Sequence, residues 1–107
     1  MDLSAEQMRR MLEQMIRIRE FDERAALLME QARVHGSVHL YCGEEAIAVG
    51  VCEALNADDY ITSTHRGHGH LIAKGGDPRR MYAELFAKTT GYNRGKGGSM
   101  HMAALDL

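Results

Sequence analysis

The chain has 107 residues, 13 basic and 15 acidic side chains, a formal net charge of -2, 45% hydrophobic residues and 26% charged ones. That balance is ordinary for a folded domain and gives no basic footprint for nucleic acid or an anionic membrane. No apolar run approaches the roughly 18 residues a membrane span needs, and Met1-Asp2-Leu3-Ser4 lacks the basic-then-apolar order of a secretion signal. The expectation is one cytoplasmic domain, or part of one, without nucleic-acid or membrane partners. Two cysteines, Cys42 and Cys52, lack the spacing of a zinc or redox site and read as reduced, buried thiols.

Ser4 with Gln7 forms a capping-box pattern, and Met8, Met11, Met15, Ile18, Phe21, Ala25, Leu28 and Ala32 then recur at helical spacing. This predicts a helix from about Ala5 to Arg33, its apolar face widened by Leu12 and Ile16. The charges along it, Asp22 among them, read as a solvated face without chemistry. His35-Gly36 supplies a stop, Val38 to Tyr41 is an apolar stretch, and Ala46, Ile47, Val49, Val51, Ala54 and Leu55 predict a buried second helix. Asn56 to Asp59 is a turn cluster, and Tyr60 to Thr64 is a β-prone run leading into the loop His65-Arg66-Gly67. Asp77-Pro78 starts a helix expected to end near Lys88. From Thr89 to His101 the apolar period is lost, and Gly91, Gly95, Gly97 and Gly98 mark a long glycine-rich loop.

Several chemical readings compete for this chain. Six histidines invite a metal site, with a small histidine-rich metal protein as one alternative, but neither CxxC nor HExxH is present. No metal ligands are assigned. Gly91 to Lys96 is one residue short of a Walker loop, with Gly97-Gly98 where Ser or Thr should stand, and Gly67-His68-Gly69 lacks the third glycine of a dinucleotide fingerprint. A noncatalytic helical interaction module is a further alternative.

Three blocks in order carry a resemblance: Val38-His39-Leu40-Tyr41-Cys42-Gly43-Glu44-Glu45-Ala46, Ile61-Thr62-Ser63-Thr64-His65-Arg66-Gly67-His68-Gly69, and Gly95-Lys96-Gly97-Gly98-Ser99-Met100-His101-Met102. Together the chain resembles the alpha subunits of thiamine-diphosphate-dependent pyruvate, branched-chain 2-oxo acid and acetoin dehydrogenases. The His-Arg-Gly-His-Gly-His run looks closest to the acetoin type. The resemblance implies an α/β fold, in which residues 1–107 form the incomplete N-terminal portion of one thiamine-diphosphate-binding domain. That domain has a mainly parallel sheet and is helix-rich in this segment.

It also implies cleavage of the C–C bond beside a carbonyl of acetoin or a 2-oxo acid such as pyruvate, with transfer of the acyl group to lipoamide. Implied partners are a beta subunit in an α2β2 assembly, a lipoyl-bearing acyltransferase core and a small-molecule substrate. By the same resemblance Arg66 contacts the cofactor diphosphate and His65 lies at a neighbouring cofactor contact. His39 stands near the substrate as a catalytic residue, and Gly97, Gly98, Ser99 and His101 form a secondary active-site loop. Magnesium completes the expected cofactor set. Its Gly-Asp-Gly and Asn ligand motif does not occur up to Leu107 and is expected further along a longer chain. The 107 residues alone are expected to be inactive.

Overall fold

A computed structural model describes residues 2–107. It contains four helices among the described residues: α1 (Ala5–Glu30), α2 (Glu45–Glu53), α3 (His68–Ala73) and α4 (Pro78–Leu85). The α1 start follows the capping box: Ser4 Oγ accepts the Gln7 N–H at 3.2 Å, and Gln7 Oε1 accepts the Ser4 N–H at 2.9 Å. Two helix-end donors are satisfied reciprocally. At the other end α1 stops three residues before the expected Arg33. Ala32 turns into the left-handed region at φ 54°, and the Arg33 N–H reaches back to the Leu28 carbonyl at 2.9 Å. This is a Schellman closure with alanine where glycine is usual, so no glycine marked it.

The same closure ends two other helices. In α3 Gly75 is left-handed and Gly76 N–H donates to Leu71 O. In α4 Ala87 is left-handed at φ 53° and Lys88 N–H donates to Ala83 O. The α4 helix therefore ends at Leu85 rather than near Lys88. Its start is as expected, with Asp77 accepting the Arg79 N–H at 2.8 Å and Pro78 in the first turn.

One stripe of α1, Ile18, Phe21, Ala25 and Leu28, enters a core shared with Val34, Tyr41, Ala48, Val49, Ile72, Met81 and Leu85. Helices α1, α2 and α3 pack on one another. Tyr82 of α4 stacks on Phe21 at 4.4 Å and donates its hydroxyl to the Phe21 carbonyl at 3.0 Å. Burial pushes that phenol up to about 12.

The wide apolar face divides. Met11 and Met15 are packed against the core, while Met8, Leu12 and Ile16 remain more than half exposed. The second helix is likewise buried only along Ala48, Val49 and Glu45, leaving Ile47 and Val51 exposed. The cysteines also depart from expectation: Cys42, in the turn before α2, is exposed, and Cys52, near the end of α2, is half-buried.

Residues 38–41 and 60–64 run as irregular backbone, and no ladder forms among the described residues. An extended segment becomes a strand only when a second one offers its N–H and C=O groups. The Asn56 to Asp59 turn forms, with Asn56 N–H on Asp59 Oδ2 at 2.7 Å. The stretch from Thr89 to His101 is turns and bends, as its glycines indicate.

Candidate functional site

The site begins with a correction. Asp22, read as one of the solvated charges of α1, is wholly buried. It lies four residues after Ile18 and three before Ala25, on the stripe that enters the core. Its carboxylate is satisfied twice: Oδ2 accepts the Tyr41 N–H, and Oδ1 accepts from His68 Nδ1 at 2.7 Å. His68 is 1% exposed and sits in the first turn of α3, a short helix that no sequence signal had marked. Phe21 meets its ring edge-on at 5.3 Å.

Across the ring, His68 Nε2 lies 3.0 Å from Ser99 Oγ, and Ser99 Oγ accepts the His39 N–H at 3.3 Å. A continuous polar path thus joins α1, α3, the glycine-rich loop and the 38–41 segment. A carboxylate accepts only, so the bonded Nδ1 carries a proton. In a neutral imidazole that leaves Nε2 to accept the Ser99 hydroxyl.

Around its end stand the residues singled out from the sequence. The His39 and His65 rings meet edge to face at 5.2 Å, and Arg66 Nη1 donates to the Leu40 carbonyl. His65 and Arg66 are exposed. His39 Nδ1 is buried and has no hydrogen-bond partner among the described residues. Such an orphaned polar atom costs free energy unless a ligand group, a water or a residue elsewhere in the domain satisfies it. His39, His65, Arg66 and Ser99 are therefore brought together. His101 is exposed and approaches through its backbone: a Cβ on Gly97 would lie 2.6 Å from the His101 carbonyl oxygen, so only glycine fits there.

The glycine-rich loop is shaped by a residue the sequence reading passed over. Glu84, on α4 and 1% exposed, accepts four backbone N–H groups: Asn93 at 2.8 Å, Gly95 at 2.9 Å, Gly97 at 2.6 Å and Gly98 at 3.3 Å. Burial pushes its carboxyl up, but the bonds from Gly95, Gly97, Asn93 and Gly98 outweigh this and hold it below the ordinary glutamate value. The arrangement is a nest of amides folded around one anion, and it presents Ser99 to His68. A glutamate at the inward face of a short helix before four glycines was the available clue.

His70, also on α3, bridges Ser63 Oγ at 2.6 Å and the Tyr41 hydroxyl at 3.0 Å, and burial lowers its pKa. Beside it lies a cavity of about 320 Å³ lined by Ile61, Ser63, His70, Leu71, Ser99 and Met102 among others. His39, His65 and Arg66 do not line it. Lys74 is the only Lys or Arg among the described residues on its wall, whereas the histidine cluster holds the planar guanidinium of Arg66 that suits a diphosphate, so the cluster is the better cofactor candidate. Among the described residues no group of three His, Cys, Asp or Glu side chains stands close enough to hold a metal ion. No helix among the described residues is long and apolar enough to cross a membrane.

Comparison with known proteins adds an independent line. The sequence model of the family described as Dehydrogenase E1 component matches residues 13–106. The acetoin:2,6-dichlorophenolindophenol oxidoreductase alpha subunit of Bacillus subtilis is 57% identical over 90% of this chain and 29% of its own length. The alpha subunit of the same name from Cupriavidus necator is 53% identical over 82% of this chain and 26% of its own. The pyruvate dehydrogenase E1 component alpha subunit of Porphyra purpurea is 43% identical over 84% and 26%. The chain thus spans less than a third of these relatives' length. With the family match running over most of the chain, these 107 residues belong to the dehydrogenase E1 component family.

Proposed function

We propose that the chain is part of the alpha subunit of a thiamine-diphosphate-dependent dehydrogenase acting on acetoin or a 2-oxo acid such as pyruvate, with transfer of the acyl group to lipoamide. The orphaned, buried His39 Nδ1 beside exposed His65 and Arg66 carries this reading. Acetoin is the favoured substrate, since two relatives named for it are 57% and 53% identical against 43% for one named for pyruvate.

The residues present fit the cofactor. Arg66 spends Nη1 on the Leu40 carbonyl and keeps further donors for a diphosphate oxygen, in the planar fork that suits phosphate. Thiamine diphosphate, when bound, supplies the carbanion that attacks a carbonyl carbon. His65 closes the cofactor side of the cluster. His39 faces the substrate end, where an imidazole can orient a carbonyl oxygen or move a proton to it. Gly97, Gly98 and His101 shape the loop edge, and Ser99 anchors the His39 backbone.

The remaining parts of the reading lie outside these residues. Magnesium is held by ligands further along a longer chain. A mainly parallel sheet of one domain takes up the 38–41 and 60–64 segments, giving the α/β fold. The beta subunit supplies the other half of the site in an α2β2 assembly, which docks on a lipoyl-bearing acyltransferase core in the cytoplasm. The exposed Met8, Leu12 and Ile16 stripe is available to such neighbours.

The test is Arg66→Ala in the assembled enzyme. Loss of a charge-assisted hydrogen bond, about 1.5 to 3 kcal/mol, corresponds to about a 10- to 150-fold rise in the dissociation constant for thiamine diphosphate. Diphosphate is charged alike before and during reaction, so turnover at saturating cofactor partly recovers. An unchanged dissociation constant in a titration would overturn the assignment.

A further inference from the structure

The polar path that ends at His39 begins at a residue with no reach to any ligand. Asp22 is wholly buried, its two oxygens committed to Tyr41 N–H and His68 Nδ1. His68 is committed in turn to Ser99, and Ser99 to the backbone of His39. Three residues separated by 46 and 31 positions in sequence thus form one path. The same residue types in the same order make the nucleophilic triad of many hydrolases. Here Ser99 is 8% exposed, and its oxygen already accepts an N–H, so the oxygen holds a neighbour in place rather than attacking one.

We infer that Asp22, His68 and Ser99 form a positioning relay that fixes the His39 segment for the reaction. This rests on the role given to His39 under the proposed function. Asp22 selects the Nδ1–H form of His68, which leaves Nε2 to accept the Ser99 O–H and Ser99 Oγ to accept the His39 backbone N–H. The relay's polarity is thereby set from the core outward. Tyr41 N–H on the second Asp22 oxygen fixes the same segment two residues further along.

Asp22→Asn tests the polarity while preserving shape. Tyr41 N–H keeps the amide oxygen on its side, so the amide NH₂ turns to His68 Nδ1 and forces the proton to Nε2. Nε2–H then donates to Ser99 Oγ, and the Ser99 hydroxyl loses its acceptor. In the assembled α and β enzyme, kcat should fall about 10- to 100-fold, the usual effect of losing an outer-shell orienting partner. The dissociation constant for thiamine diphosphate should stay within about twofold.

Acting through His39 has a second consequence: Asp22→Asn combined with His39→Ala should turn over no more slowly than His39→Ala alone, within about twofold. If Asp22→Asn fails to assemble, Ser99→Ala combined with His39→Ala gives the same cycle from the other end of the path. Losses that multiply in the double variant, or single variants with unaltered kcat, overturn the relay. An unaltered kcat in His39→Ala alone overturns the role of His39, and the relay with it, and this is visible in a different measurement.

Discussion

His39→Ala in the assembled enzyme should lower kcat by about 10²- to 10⁴-fold while leaving the dissociation constant for thiamine diphosphate nearly unchanged. The expectation follows from what holds His39 and what does not. Its backbone is tied to Ser99, its ring lies edge-on to His65, and its Nδ1 is buried with no partner among the described residues. A core histidine packed for stability would satisfy that nitrogen. A nitrogen left unpaired by the described residues can bond a reacting oxygen, and a bond made mostly in the transition state lowers kcat when removed rather than cofactor affinity. Arg66 should fail in the opposite way, losing affinity first. If His39→Ala lowers only the thermal midpoint while kcat persists, the ring is a packing residue. Equal loss of cofactor affinity in both variants would show that the two side chains grip the same group.

The elements written in local sequence were legible. The Ser4 and Gln7 box and the Asp77-Pro78 start are contacts between residues two or three apart, and they formed where the sequence placed them. Helix ends were harder, because Ala32 and Ala87 adopt the left-handed conformation that glycine usually marks. The candidate residues His39, His65, Arg66 and Ser99 came from a resemblance, and their convergence is visible only in three dimensions.

What the sequence concealed is the support beneath them. Asp22 stands among the charges of α1, where an acidic residue is ordinarily solvated, although its register with Ile18 and Ala25 places it inward. His68 stands between two glycines and carried no helix signal. Gly69 accounts for part of this: a Cβ there would collide with the Tyr41 ring, at 2.6 Å from Cγ, so glycine serves close packing of α3 rather than a turn. The 38–41 and 60–64 segments remain a proposal as strands, since a ladder needs a partner from elsewhere in the domain.

Glu84→Gln should loosen the glycine-rich loop more than any surface change of similar size. The native carboxylate meets four N–H donors, two on each oxygen: Gly97 and Gly98 on Oε1, Asn93 and Gly95 on Oε2. Glutamine has the same shape but replaces one oxygen with an NH₂ donor. Two half-buried backbone N–H groups then face a donor, and the other two lose a charged acceptor. Leaving buried donors unpaired costs about 1 to 3 kcal/mol each, and removing the charged partner of a buried set costs about 3 to 5 kcal/mol, so for these half-buried groups the latter figure is the upper range expected for the loop.

In the assembled enzyme this should appear as amide hydrogen exchange faster by about two to four orders of magnitude, confined to Asn93, Gly95, Gly97 and Gly98. The acid response gives a second readout. The folded-state pKa of Glu84 lies below its ordinary 4.5, so its stabilisation is fully present above that value and is lost as pH falls through the folded value. Native loop protection should therefore decay on acidification below about pH 4.5, whereas the Gln variant should lack that component. Unaltered exchange in Glu84→Gln would mean that the loop is held by its own turns. Because Ser99 follows Gly98 directly, a loosened loop should also let the Ser99 contact with His68 lapse, lowering kcat in step with the loss of protection.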